Sequence, residues 1–306
     1  MTTAVDQPQV TVADLVAAFR KQRAANGPAR PEPVEHPRPE PATGADDRIA
    51  TTMRASTVVV LGVHGGAGAS TVTLALSDAL AEAQADAQAD AQVGASRATG
   101  VSMRVIDLAS PASSGVAPAA ECEIASEYPG WRAARRGRAT IYSPGPSLRR
   151  PSPLALADIP EALAFGVGHA VIDLGRPWQP GATDRLSTRH RTTGAATRTV
   201  LVCRATVPGL RHAEHALAGL STKLSTESGD VILAPVGARR WASEVVASLG
   251  PHTAAAVEDR RCVLMPLDRR LARHGPEAAP FSKPIAASAR RLAALLWASP
   301  PLEGIR

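Results

Sequence analysis

The chain is 306 residues long, with 44% hydrophobic and 20% charged residues, and its formal net charge is +6. A chain of this size can bury a sizeable core, either as one large α/β domain or as two small ones. The positive charge suggests a nucleic-acid partner. It is almost all arginine, however, and a GC-rich genome also favours arginine.

Cysteine spacing and hydropathy exclude several classes of protein. Cys122, Cys203 and Cys262 lie far apart and in no C-x-x-C spacing, which predicts neither a disulfide framework nor a zinc site. The N-terminus lacks the basic-then-apolar run of a secretory signal, and the longest apolar stretch, 154–174, is interrupted by charged side chains. We therefore expect a cytoplasmic protein without a membrane span.

The first part of the chain is predicted to lie outside the core. Thr11 can cap a short helix with an apolar face of Val12, Leu15, Val16 and Phe19, and a proline- and charge-rich segment follows. The helix could dock on a protein partner, or it could be a frayed tail without a role. The predicted divisions are a tail with the amphipathic helix at 1–25, a Pro-rich linker at 26–55, a folded domain at 56–299 and a tail at 300–306.

From residue 57 onward, strand patterns alternate with helix patterns. The predicted strands are 57–63, 102–108, 140–143, 169–174, 199–204, 230–235 and 261–266, and the predicted helices are 70–92, 154–165, 209–220, 239–249 and 284–297. Short β-branched runs between helices are typical of a doubly wound, mostly parallel sheet covered on both faces. In such a sheet ligands bind at the C-terminal ends of the strands.

The glycine-rich stretch HGGAGAST, His64–Thr71, carries the clearest functional signal. It follows a β-branched strand and precedes an apolar helix, so its backbone amides and the helix N-terminus could hold an anion. A G-x-x-x-x-G-K-[ST] loop has lysine before the hydroxyl residue, whereas here Ala69 precedes Ser70. The alternative is a tight strand-to-helix turn that holds no ligand.

This stretch resembles the deviant phosphate loop of the ParA/MinD family, usually written KGGxGK[ST][ST]. The resemblance extends over roughly 57–297 and implies a doubly wound fold of the P-loop NTPase type. MRVIDLASP at 103–111 is similar to the family strand that ends in D-x-D-P, and HAVIDLGRP at 169–177 to the Walker B strand. TVLVCRATVPGLRHAEHAL at 199–217 is similar to the next strand and helix, and VLMPLDRRLARHG at 263–275 to a late strand with a Pro-x-Asp loop.

The resemblance also implies the ligands, ATP and Mg²⁺, and the residues that would hold them. The nucleotide-binding residues it implies are His64, Gly65, Gly66, Ala67, Gly68, Ala69, Ser70, Thr71 and Asp268. The Mg²⁺ residues it implies are Ser70, Asp173 and Asp107.

Three departures from the family pattern bear on catalysis. His64 and Ala69 stand where the family has lysines, and Ala109 stands where it has the second aspartate of D-x-D. Phosphoryl transfer depends on positioning and electrostatic stabilisation, and the loss of one such group typically costs about 10²–10³ in rate. We therefore expect no ordinary ATP hydrolysis and assign no catalytic residue, although Arg204 or Arg211 could supply a substitute charge.

Other polar segments have weaker signals. The segment Arg132–Arg150 could track a nucleic-acid backbone without sequence specificity, or it could be a solvated basic loop. His212 and His215 share a helix face, but with no third ligand apparent they are interpreted as solvated rather than metal-binding. The last helix, 285–297, is expected to close the domain rather than to contact lipid.

These features together predict a nucleotide-responsive or pseudo-ATPase adaptor or positioning factor in DNA partition, conjugative transfer or secretion. One alternative is an active ATPase that uses a substitute arginine and forms a homodimer around its nucleotide. Another is a DNA-binding scaffold in which the P-loop is vestigial.

Overall fold

The computed structural model describes residues 56–91, 103–109, 114–148, 158–165, 168–177, 196–223, 231–237 and 240–298. The chain divides into Met1–Thr52 and Met53–Arg306, and every described residue belongs to the second unit. The predicted N-terminal helix, the Pro-rich linker and the tail at 300–306 lie outside the described residues.

The described elements are strands and helices that alternate along most of the chain. The strands are β1 Ser56–Gly62, β2 Met103–Asp107, β3 Cys122–Ile124, β4 Trp131–Arg136, β5 Ala139–Pro144, β6 His169–Pro177, β7 Ala196–Arg204, β8 Val231–Gly237 and β9 Met265–Pro266. The α-helices are α1 Ala69–Ala91, α2 Glu161–Phe165, α3 Val207–Lys223, α4 Ser243–Ala247, α5 Pro251–Glu258, α6 Arg269–His274 and α7 Lys283–Ala298.

The strands form one nine-stranded sheet in the order β3-β4-β5-β2-β6-β1-β7-β8-β9. The pairs β3–β4 and β4–β5 are antiparallel, and the other pairs are parallel. The predicted doubly wound, mostly parallel sheet is thus confirmed. Strand β1 is the sixth of the nine and lies between β6 and β7, so the glycine-rich loop leaves the sheet near its middle.

The core lies on both faces of this sheet because β1 is apolar at consecutive positions, Val58–Leu61, so that both of its faces are apolar. Val58 and Val60 belong to the cluster that includes side chains of α1 and α7, and Val59 and Leu61 to the cluster that includes α2 and α3. Helix α7 packs on α1 and buries Leu292, which confirms its predicted role in closing the domain. Within the part of the chain that the structure describes, no helix is long and apolar enough to cross a membrane.

The basic segment that begins at Arg132 is not the predicted loop. It starts in β4, which forms a hairpin with β5, and Trp131 and Ala133 are buried while Arg132 and Arg135 are exposed. The prediction of a loop was wrong because four of the eight residues 131–138 are arginines, so hydropathy does not show the alternation of buried and exposed positions in β4.

Two predicted helices are shorter than expected, and proline and glycine explain both differences. Of the predicted helix 154–165, only Glu161–Phe165 is α-helical among the described residues, and it begins directly after Pro160. The predicted helix 239–249 is reduced to Ser243–Ala247, and the unpredicted α5 follows at Gly250–Pro251. The predicted strand 261–266 keeps only β9 and an isolated bridge at Cys262, and β3 and α6 were also not predicted.

Candidate functional site

The glycine-rich loop makes a sharp turn with an open outer side. Gly66 and Gly68 have φ of 75° and 99°, the left-handed region that favours glycine. The Ala67 amide donates to the His64 carbonyl at 3.2 Å, and a Cβ on Gly68 would lie 3.2 Å from the Val236 side chain. A Cβ on Gly65 or Gly66 would meet nothing within 4 Å. The backbone at Gly65–Gly66 can therefore be approached by a ligand.

Two buried carboxylates lie side by side on neighbouring strands near this loop, one at the last residue of β2 and one in the middle of β6. Asp107 in β2 and Asp173 in β6 are register partners, and they are 1% and 0% exposed. Each accepts a hydrogen bond at 2.9 Å from an amide two residues on, Ala109 for Asp107 and Gly175 for Asp173. The second oxygen of Asp107 accepts from the Ser114 hydroxyl, whereas Asp173 Oδ2 is buried without a partner of hydrogen-bond geometry among the described residues.

Burial shifts the titration of both acids. It raises the pKa of Asp107 to about 7, against the hydrogen bond from Ser114 and with a further contribution from the charge of Asp173. It also raises the pKa of Asp173, against the opposing effects of the nearby Ser70 hydroxyl and of the hydrogen bond from the Gly175 amide. Ionising two adjacent buried carboxylates together is costly in free energy. A proton on one of them, or a cation bound beside them, would therefore stabilise the site.

The turns that follow the two acids pack directly on each other. Gly175 has φ of 62°, and a Cβ there would lie 2.2 Å from Ala109 Cα. Ala109 itself is only 6% exposed. The position after Asp107 where the resemblance places a second aspartate is therefore filled by a packed methyl group.

The sheet order, the loop after its central strand and the acids at the neighbouring strand ends can be compared with known proteins. No family model matches the sequence, and the comparison with curated proteins finds no match. Among solved structures, a ParA family ATPase from Chlorobium tepidum TLS aligns over 78% of this chain and 98% of its own, with 11% sequence identity and a TM-score of 0.51. The chain has the ParA/MinD fold. The MinC:MinD cell division protein complex of Aquifex aeolicus also aligns, over 82% of this chain and 99% of its own, at 16% identity and a TM-score of 0.46.

The ParA/MinD fold raises the question whether this site fits a Mg²⁺ ion. Ser70 opens the first turn of α1, and its hydroxyl and the unpaired Asp173 Oδ2 are oxygen donors of the kind Mg²⁺ prefers. Both oxygens of Asp107 already accept hydrogen bonds. Among the described residues no group of three or more His, Cys, Asp and Glu side chains could hold a metal. The donors therefore suit an ion that completes its shell with phosphate and water.

The remaining predicted nucleotide residues lie at two places. Ala69, Ser70 and Thr71 form the first turn of α1, whereas Asp268 follows β9 at the edge of the sheet. The Asp268 carboxylate caps α6 by accepting from the Arg270 amide at 2.8 Å, and this bond is the main reason that its pKa is lowered. A cavity of about 230 Å³ lies beside it.

Arg136 is the one described arginine of the basic segment that cannot face a phosphate backbone, because it is buried. It is 2% exposed, and its guanidinium forms an ion pair of 3.0 Å with Asp78 on α1. It also donates to the Ala119 and Glu277 carbonyls and lies 5.0 Å from the centre of the Phe281 ring. Arg136 is thus part of the core. Arg132, Arg135 and Arg138 are exposed, and the last two arginines of the segment lie outside the described residues.

Sequence reasoning missed three residues of the site. Ser114 is bonded to Asp107, Gly175 receives Ala109, and His212 lies against His64, with ring centroids 5.7 Å apart. A glycine two residues after the acid of an apolar strand was a usable signal for the second. The partners of Ser114 and His212 are distant in sequence, and no local pattern indicates them.

Proposed function

We propose that this protein binds ATP with Mg²⁺ at the glycine-rich loop and hydrolyses it slowly or not at all. It would act in the cytoplasm as an adaptor or positioning factor in DNA partition, conjugative transfer or secretion, with nucleotide occupancy rather than turnover setting its state. One observation carries the proposal: an open loop with left-handed Gly66 and Gly68 lies next to Asp173, whose buried Oδ2 has no partner of hydrogen-bond geometry among the described residues.

The backbone supports binding without a lysine. Amides of a glycine-rich turn and of a helix N-terminus donate to phosphate oxygens whatever the side chains are. Ser70 and Asp173 would hold Mg²⁺. The ion would offset phosphate charge that the uncharged side chain of Ala69 cannot offset. Asp107 would lie beside Asp173 and keep its own hydrogen bonds from Ala109 and Ser114. The cavity beside Asp268 offers space for a base at the edge of the sheet.

The same residues argue against efficient hydrolysis. Position 109 is alanine and offers no carboxylate to orient a water molecule, and its methyl group is packed against Gly175. Ala69 adds no charge at the phosphates. Each loss of this kind costs on the order of 10²–10³ in rate.

The binding experiment compares thermal unfolding and calorimetric titration with ATP, with and without Mg²⁺. A ligand present at about 100 times its Kd stabilises the folded state by roughly 2.7 kcal/mol. Gly65→Val should abolish this stabilisation, because its side chain enters open space in front of the loop without meeting protein atoms. Ala83→Val, at an exposed position of α1, is the matched control. If ATP does not bind the wild type, or binds Gly65→Val equally well, the proposal fails.

Turnover distinguishes a pseudo-ATPase from an active enzyme with a substitute cation. Arg204 at the end of β7 is partly exposed and Arg211 on α3 is exposed, so both remain candidates. Wild-type hydrolysis that is lost in Arg204→Met or Arg211→Met would favour the active enzyme. Hydrolysis that arises only in Ala69→Lys would favour the pseudo-ATPase.

Partner binding is the finer part of the proposal. The exposed Arg132, Arg135 and Arg138 favour DNA binding through the β4–β5 hairpin, with an affinity that falls steeply as salt rises. Light scattering with and without ATP would detect the proposed homodimer. Pull-down with and without residues 1–25 would test the proposed protein partner of the N-terminal helix.

A further inference from the structure

Two histidines that are 148 positions apart in the sequence meet beside the glycine-rich loop. His64 belongs to the loop and His212 to α3, and their ring centroids lie 5.7 Å apart with an angle of 59° between the planes. His212 is exposed and His64 is partly exposed. Both rings are therefore accessible to solvent, and the two residues that follow His64, Gly65 and Gly66, leave open space beside the pair.

A hydrogen bond fixes the role of each nitrogen of His64. Its Nδ1 lies 2.8 Å from the Gly65 carbonyl oxygen. A carbonyl only accepts, so Nδ1 carries the hydrogen and Nε2 is the ring atom that can meet a ligand. A phosphate oxygen also accepts, so His64 must take a second proton, on Nε2, to donate to it.

The charges around the pair favour an anion. Arg211 precedes His212 on α3, and Arg204 ends the neighbouring strand β7. The nearest acid along α3, Glu214, accepts from the His252 and Thr253 amides and so caps α5. His215 lies one turn further along α3, and Asp173 is buried in the middle of β6.

We propose that His64 and His212 form a two-imidazole clamp for the phosphate groups of the ligand at this loop. Through His212 on α3, the clamp would place positive charge at the phosphates. Ala69 on α1 is uncharged and places none there. The inference rests on the proposed function for the identity of the ligand, a nucleoside triphosphate. The clamp itself recognises a pyrophosphate unit, whatever is attached to it.

The test is calorimetric titration of the full chain with Mg²⁺-ATP and, separately, with inorganic pyrophosphate. His64→Ala and His212→Ala should each weaken binding roughly 10-fold, the range for one charge-assisted hydrogen bond. The double variant should lose less than the product of the two single losses, because each ring depends on the other to hold the same group. His215→Ala is the matched control on the same helix and should bind like the wild type.

A second measurement reports on the ring itself. In ¹⁵N-histidine NMR spectra, pyrophosphate should convert Nε2 of His64 from an acceptor to a protonated nitrogen. A histidine that only packs against its neighbour would show no such change.

Each outcome decides between the clamp and the nucleotide proposal. If ATP binds equally to the wild type, His64→Ala and His212→Ala, the clamp is refuted and the proposed function stands. If pyrophosphate binds in a His212-dependent way and ATP does not bind, the clamp stands and the proposed function fails. If neither ligand binds the wild type, both are refuted.

Discussion

Replacing Arg136 by methionine removes one partner of the buried Arg136–Asp78 ion pair. The guanidinium is 2% exposed and the Asp78 side chain 29%, so the remaining carboxylate would lose its partner in a mostly buried position. The substitution also leaves the Ala119 and Glu277 carbonyls without their donor and removes the guanidinium beside Phe281. These contacts join the β4–β5 hairpin, α1 and the segment before α7, so we expect a global loss of stability.

The magnitude follows from burial. Breaking a buried ion pair from one side costs about 3–5 kcal/mol, because the other charge stays desolvated. Burial already raises the pKa of Asp78, and Arg136 opposes that rise. Without Arg136 the pKa of Asp78 should rise further. Protonation would then relieve part of the cost at low pH.

Urea unfolding at two pH values would measure this effect. Arg132→Met is the matched control on the same strand, since Arg132 pairs with Glu123 at the surface, where both side chains are more than half exposed. An exposed pair contributes only about 0–1 kcal/mol. Adding Asp78→Asn to Arg136→Met should restore part of the loss by removing the leftover charge. If Arg136→Met costs no more than Arg132→Met, the buried pair does not stabilise the fold as argued.

Two further predictions concern the strand-end acids. Because the folded-state pKa of Asp107 is about 7, above its ordinary value of 3.8, stability falls as pH rises from about 4 to about 7. Between pH 5 and pH 8 the metal-free wild type should therefore lose roughly 2–3 kcal/mol more than Asp107→Asn in urea unfolding, and equal losses would contradict the assignment. Gly175→Ala combines left-handed strain with a Cβ 2.2 Å from Ala109, whereas Gly137→Ala, at φ of 52° with nothing within 4 Å, has the strain alone. In calorimetric melting the first should cost roughly 2–5 kcal/mol and the second about 1 kcal/mol, and similar costs would show that the Ala109 contact yields easily.

The central sheet was predictable because its pattern is simple. β1, β2, β6, β7 and β8 are short, mainly apolar runs, and the structure places all of them within a few residues of their predicted bounds. The hairpin strand β4 was not predictable, because arginine occupies both buried and exposed positions there and the burial of Arg136 depends on a partner 58 residues away.

For the candidate site, the sequence predicts which residues form it but not which groups their side chains hydrogen-bond. The loop, Asp107 and Asp173 are indicated by glycine spacing and strand ends. Both oxygens of Asp107 accept hydrogen bonds, whereas Asp173 Oδ2 has no partner of hydrogen-bond geometry among the described residues. The second bond of Asp107 depends on where the chain brings Ser114, and no local sequence pattern indicates that position. The contact of His64 with His212 depends in the same way on the packing of α3.

The close approach of Gly175 to Ala109 also limits what position 109 can hold. An acid introduced there would place a third carboxylate in a nearly sealed space beside Asp107 and Asp173. That variant would lose stability whatever its chemistry could offer. A change at position 109 alone therefore cannot add a third acid to this site, and the segment around Gly175 would have to move with it.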